Sequence, residues 1–256
     1  MNYLPEPSSF QEAWAGVGAN ARLVRLPASD AEVVPGVAWG SPDYFNTPAY
    51  WAVRCQWEGD NPDYVAGNDD LVREVAFCLL GGYGIRYEVN QAAFVRMEAH
   101  GLFEPGAPLI DETCIRRWLT EPLLVDGRPT RYRFPNQRAR RLAGMLAFFA
   151  LNDLSGLSAG ALRKALMTIE GVGPKTASWI VRNCLGSDEV AIIDVHLIRA
   201  CTNMRVFPRE ISLPRDYEAL EARFLCFSKA LDVKPSVLDA VIWSEIRKTP
   251  SRHSVR

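Results

Sequence analysis

Between Leu166 and Ala200 the chain reads LMTIEGVGPKTASWIVRNCLGSDEVAIIDVHLIRA, and most of its chemistry-capable residues fall there. Gly171 and Gly173 flank Val172, and Pro174 follows where a helix start loses no N–H. Two glycines two apart let the backbone turn tightly and leave N–H groups open at a helix N-terminus. Such a turn holds a phosphate without a cationic side chain. The same residues also suit a plain turn between two helices with glycine in a left-handed conformation. Lys175 comes next. The chain has 24 arginines but 5 lysines, the first being Lys164, so a lysine beside this turn stands out. A guanidinium does not deprotonate, whereas a lysine amine does and is then a nucleophile. The other use of Lys175 is a phosphate contact. Nineteen residues after Lys175, Asp194-Val195-His196 follows the apolar Ala191-Ile192-Ile193. Backbone N–H groups at a helix start keep an aspartate ionised. That suits a simple cap and equally a carboxylate set against a developing cation. His196 is a phosphate contact, a group orienting the Asp194 loop, or a packed side chain.

Helices must carry these groups. Leu166 and Ile169 close one, and Ala177, Ile180 and Val181 pack the next back on it. Apolar spacing predicts helices at about 136–152, 158–167, 174–184, 194–202, 217–231 and 236–248. Upstream, Asp69/Asp70 can cap a helix carrying Leu71, Val72, Val75, Ala76, Leu79 and Leu80, which Gly81-Gly82-Tyr83-Gly84 ends. A helix over 89–100 ends at Gly101. Residues 102–113 read as a loop, 116–119 as a short helix and 121–134 as a second loop. Residues 1–65, rich in Pro, Gly, Asp, Asn and Trp, read as irregular or partly β, with a short strand within 31–40. The expected organisation is an N-terminal region, 1–65, packing on the C-terminal helices. A central helical domain, 66–186, contains the hairpin at about 162–184, and residues 187–256 complete a second lobe.

The hairpin resembles that of the base-excision DNA glycosylase superfamily. There L-x-x-h-x-G-h-G is followed, in lyase-competent branches, by Lys two residues after the second Gly. Gly173-Pro174-Lys175 meets that form, and Asp194-Val195-His196 meets the family's D-x-H segment. The stretch Tyr132–Arg140 is similar to the R-F-x-N-x-x-A segment of the 8-oxoguanine branch, and Asp239-Ala240-Val241-Ile242-Trp243 to its D-x-x-x-W helix. The four-cysteine cluster of the pyrimidine-damage and adenine-mismatch branches is absent after Cys226.

The resemblance implies a mainly α, two-lobed helix-hairpin-helix fold with its cleft between the lobes. It also implies excision of a modified base, 8-oxoguanine opposite cytosine before others, followed by strand cleavage through a lysine Schiff base. Lys175 would attack, in surroundings that desolvate its amine or add nearby cations, and Asp194 would stabilise the cationic sugar. Trp179, one helical turn after Lys175, would stack on the base, Asp239 would hydrogen-bond it, and Trp243 would line the pocket; both tryptophans also suit core packing. A glycosylase must fill the gap left by the extruded base. Tyr83 would be the wedge and Arg86 would meet the orphaned partner base, unless that loop is a helix stop with a packed aromatic. Gly171, Val172, Gly173, His196 and Arg138 complete the expected DNA contacts. Carbonyls of Met167, Ile169 and Val172 would hold a monovalent or divalent ion, and no other cofactor is required.

Composition narrows the classes. The chain has 256 residues, 48% hydrophobic and 23% charged, an ordinary globular balance that argues against disorder. No apolar run reaches the roughly 18 residues of a membrane span. MNYLPEPSSF has no basic start and apolar stretch, so no secretory signal is expected. Six scattered cysteines form no C-x-x-C pair and fit reduced thiols in a cytoplasmic protein. Net charge is −1, yet residues 1–100 carry 6 basic residues against 13 acids, and the remainder 23 against 17. Arg116, Arg117, Arg128, Arg131, Arg133, Arg138, Arg140 and Arg141 face only Glu121 and Asp126 in their own segment. This is either a phosphate-binding surface or a solvated helix face. The expected protein is a monomer acting on double-stranded DNA that carries a modified base. The competing readings are a glycosylase for hypermodified phage bases, acting in defence, and a non-catalytic DNA-binding module. Lys175 and Asp194 together argue against the module.

Overall fold

The structure, a computed structural model, describes residues 9–59, 70–104 and 110–248. In chain order the elements begin β1 (Phe10–Ala15), β2 (Arg22–Pro27), β3 (Glu32–Val34), β4 (Val37–Ala38) and α1 (Pro48–Glu58). There follow α2 (Leu71–Leu80), α3 (Tyr87–Ala99), α4 (Glu112–Thr120), β5 (Leu123–Val125), β6 (Arg128–Thr130) and α5 (Pro135–Leu151). The last are α6 (Ala159–Leu166), α7 (Pro174–Leu185), α8 (Val195–Asn203), α9 (Tyr217–Ala230) and α10 (Pro235–Lys248). The chain is mainly α. It divides into two compact units, Met1–Ala66 with Gly186–Arg256, and Gly67–Leu185.

The first unit has one apolar core. Val24, Leu26, Trp51, Ala52 and Cys55 from the N-terminal region pack with Leu197, Phe224, Phe227, Leu238 and Ile242. β1 pairs antiparallel with β2, and β3 with β4. The strand expected within 31–40 is the β3–β4 pair. The sequence reading missed β1, β2 and α1. Thr47 starts α1 by accepting the Tyr50 N–H on its hydroxyl at 3.1 Å, and Pro48 takes the position where its missing N–H is harmless. The density of Pro and Trp hid this start. Trp51 is fully buried and its Nε1 donates to Asn46 Oδ1 at 3.0 Å; Asn46 in turn donates to the Ala200 carbonyl on α8 at 3.2 Å.

In the second unit α2 packs on α3, α5 and α7, and α6 on α7. Asp70 caps α2 by accepting the Arg73 N–H at 3.1 Å, while Asp69 lies outside the described residues. Two expectations need correction. The short helix at 116–119 is α4, which begins earlier because Asp111 accepts the Cys114 N–H at 2.8 Å. The loop at 121–134 contains the β5–β6 hairpin. Asp126 and Gly127 there adopt φ of 50° and 74°, the left-handed pair that a tight Asp-Gly hairpin turn demands.

Candidate active site

The candidate residues divide between the two units. In the second, α6 ends at Leu166, and successive turns follow, with the Ile169 N–H on the Leu166 carbonyl and the Val172 N–H on the Ile169 carbonyl, each at 3.0 Å. Val172 is buried under the turn, and Gly171 and Gly173 are exposed on either side. Gly171 has φ of 95°, and a Cβ there would stand 2.7 Å from Arg141 Cδ and Nε. Pro174 opens α7, whose first N–H groups have no helical acceptor. Gly171→Ala is therefore expected to destabilise the fold by about 1–2 kcal/mol and to displace Arg141. DNA affinity, measured by gel shift, should fall with it; unchanged affinity would take the hairpin out of the interface.

Lys175 is exposed, so the protein does not itself supply the desolvation expected around the amine. Its charge reaches Cys78 on α2. Burial pushes that thiol up, Glu74 and Cys184 push it further, and Lys175 opposes them. One helical turn on, Trp179 is 37% exposed, while Ala177, Ser178, Ile180 and Val181 around it are buried. Its Nε1 donates to Glu74 Oε1 at 3.1 Å, and the buried Arg182 guanidinium lies 5.5 Å over its ring. Glu74 was missed in the sequence. A lone acid on the apolar face of the 71–80 helix was the available signal.

The loop after α2 displays Tyr83, which is 98% exposed, so the reading of a packed aromatic fails. Gly82 and Gly84 around it have φ of 101° and 81°. Arg86 is exposed, and with Gly84, Ile85, Tyr132 and Arg133 it lines a pocket beside the loop. Arg138 is different. It is 8% exposed, and its guanidinium is held below the usual range first by burial, with Tyr132 opposing the shift. Tyr132 donates to the Leu80 carbonyl, and Arg138 lies against Gly82. Arg138 thus supports the Tyr83 loop from beneath and is not the open phosphate contact expected. The basic stretch also has an acidic partner that the local reading left out. Arg140 Nε donates to Glu170 Oε2 at 3.1 Å, and Arg141 pairs with Glu170 at 3.6 Å. Arg116, Arg117, Arg128, Arg131 and Arg133 remain exposed.

A hairpin ion would rest on carbonyls. Among the described residues no three His, Cys, Asp or Glu converge as metal ligands. Oxygen ligands of this kind suit a hard cation. An ion there would be held by the Met167, Ile169 and Val172 carbonyls, of which that of Ile169 already accepts one N–H and keeps one lone pair.

In the first unit Asp194 caps α8. Its Oδ1 accepts the N–H groups of His196 at 2.9 Å and Leu197 at 2.8 Å, and Oδ2 makes no hydrogen bond among the described residues. The chain leading to it is clamped from α9 and α10. The Ala191 N–H donates to Glu221 Oε1 at 2.9 Å, Ile192 to Asp239 Oδ2 at 3.3 Å, and Ile193 to the Tyr217 hydroxyl at 3.2 Å. Tyr217 returns a bond to the Ala191 carbonyl at 2.8 Å. Tyr217, Glu221 and Asp239 are all buried. The clamp fixes where the Asp194 carboxylate stands. Asp239 thus braces this segment through Oδ2. Glu221 and Tyr217 were missed, though a Tyr and a Glu four apart on an apolar helix face were a readable sign. Trp243, one turn after Asp239, is half-buried, with the Arg247 guanidinium 4.3 Å over its ring. The His196 side chain is half-buried.

Solved structures share the fold. The solved 8-oxoguanine DNA glycosylase of Methanocaldococcus jannaschii matches with a TM-score of 0.53 and 24% identity, covering 71% of this chain and 79% of that one. That of Thermotoga maritima matches with a TM-score of 0.53 and 22% identity, covering 72% and 82%. The Methanocaldococcus jannaschii 8-oxoguanine glycosylase/lyase in complex with 15mer DNA containing 8-oxoguanine is 22% identical, with a TM-score of 0.49 and coverage of 72% and 83%. No curated protein matches by sequence. The profile of the helix-hairpin-helix 8-oxoguanine DNA glycosylases matches residues 63–233, a span that holds the hairpin, Lys175 and Asp194. With two thirds of its length under that profile and the hairpin folded as the motif requires, the chain belongs to this family and is a DNA glycosylase.

Proposed function

We propose that the enzyme removes an oxidised purine from duplex DNA, with 8-oxoguanine opposite cytosine as its main substrate, and then cleaves the strand through a Schiff base on Lys175. The observation that carries this reading is the pairing of Lys175 with Trp179 on one exposed face of α7, directly after a turn suited to a phosphate. An amine beside an aromatic platform at a backbone grip is the equipment for attack on a nucleotide whose base is held by stacking.

The chemistry runs on this chain's own groups. Lys175, exposed on α7, supplies the nucleophile. The amine attacks C1′ and forms a C–N bond as the glycosidic bond breaks. The base leaves with the bonding pair and takes up a proton. Asp194, fixed by its two N–H donors, offsets the positive charge that develops on the sugar. Ring opening gives the imine. Loss of a C2′ proton then expels the 3′ phosphate, and water releases the amine. Tyr83 fills the space left in the stack and Arg86 meets the partner base. A hard cation on the hairpin carbonyls would add positive charge to the phosphate grip; no chemical step needs it.

The reading is tested on a panel of duplexes, each with one modified base, scored separately for abasic sites and strand nicks. The 8-oxoguanine:cytosine duplex should give both. Preference for another base would overturn the substrate, and abasic sites without nicks would overturn the lyase step.

A further inference from the structure

Glutamate is seldom buried, and then it is paired. Glu74, in the first turn of α2, is 7% exposed. Its Oε1 accepts Trp179 Nε1 at 3.1 Å and Asn183 Nδ2 at 2.8 Å, so both partners lie one turn apart on α7. The helix dipole favours a carboxylate at this end of α2. Even so, a buried charge is an expensive way to join two helices, and an apolar side chain of similar volume packs them at least as well. What a carboxylate adds is direction. An indole turns about two torsions, and a charge-assisted hydrogen bond to its only N–H fixes the ring plane. The buried Arg182 guanidinium closes over the ring, while 37% of Trp179 stays open.

We propose that Glu74 is a positioning residue for base selection: it locks the plane of Trp179 so that a displaced base stacks on a fixed surface. This rests on the reading of Trp179 as the stacking residue. The consequence is a separation of the two chemical steps. Removing a base needs the platform. Cleaving a strand that already carries an abasic site does not, because no base is left to stack.

The test compares Glu74→Leu, which keeps bulk and loses both acceptors, with Glu74→Gln, which keeps an acceptor at Oε1. Each is assayed for single-turnover excision from an 8-oxoguanine:cytosine duplex and for cleavage of a duplex with a preformed abasic site. For Glu74→Leu, excision should fall about tenfold or more while abasic cleavage stays within about twofold. Glu74→Gln should restore most of the excision. Equal losses in both assays, no loss in either, or a Gln variant as impaired as the Leu variant would overturn the proposal. If Glu74→Leu does not fold, Glu74→Met removes the same carboxylate from an unbranched side chain of similar volume and leaves Trp179 in place. Its excision should fall with abasic cleavage retained, and unchanged excision overturns the proposal. A wild-type chain inert on both duplexes overturns the lyase reading and this proposal together; a wild type active on both, with variants that fail to separate the steps, overturns this proposal alone.

Discussion

Lys175→Gln is expected to abolish borohydride trapping on a damaged duplex while DNA affinity stays within a few-fold of wild type. The side chain is exposed at the second position of α7, with no ion pair among the described residues, so its replacement leaves packing intact. Gln keeps the length and polarity needed near a phosphate but cannot form an imine. One lost phosphate contact weakens binding only modestly, to the extent of about one counterion in the salt dependence. Trapping and gel shift on the same preparation separate the two functions. A variant that still traps has its nucleophile elsewhere, and one that loses binding and trapping together returns Lys175 to the role of a phosphate contact.

Asp194→Asn is the complementary experiment. Asparagine caps a helix about as well as aspartate, so the bonds from His196 and Leu197 to Oδ1 survive and the clamp on Ala191–Ile193 is untouched. Thermal stability should therefore change little. The charge is gone, however, and a preorganised carboxylate facing a cationic sugar is worth roughly 10²–10³ in rate. Single-turnover excision should fall by about that factor. An unchanged rate would leave Asp194 as a cap and nothing more.

Local chemistry was readable in the sequence and long-range chemistry was not. The Gly171–Lys175 turn and the Asp194 cap are set by residues within a few positions of one another, so the sequence showed both, and the family resemblance gave them their roles. Glu74 meets Trp179 across 105 positions, and Glu221 meets Ala191 across 30. Nothing in a local window links such partners. Arginine charge misled for the same reason: Arg138 is turned inward against Tyr132 by the packing of α5, and Arg140 and Arg141 find Glu170 in the hairpin. The bond from the Ile192 N–H to Asp239 spans 47 positions and was hidden in the same way. The β5–β6 hairpin did carry its Asp-Gly signal, but an arginine-rich surround without apolar alternation masked the strands.

One bond, between Lys175 and a deoxyribose carbon, carries the proposed chemistry. The most direct measurement is borohydride reduction of the wild-type protein with an 8-oxoguanine:cytosine duplex, followed by proteolysis and mass mapping of the cross-linked peptide. A single adduct, on Lys175, is expected. A cross-link on any other amine, or base loss with no cross-link at all, would contradict that chemistry.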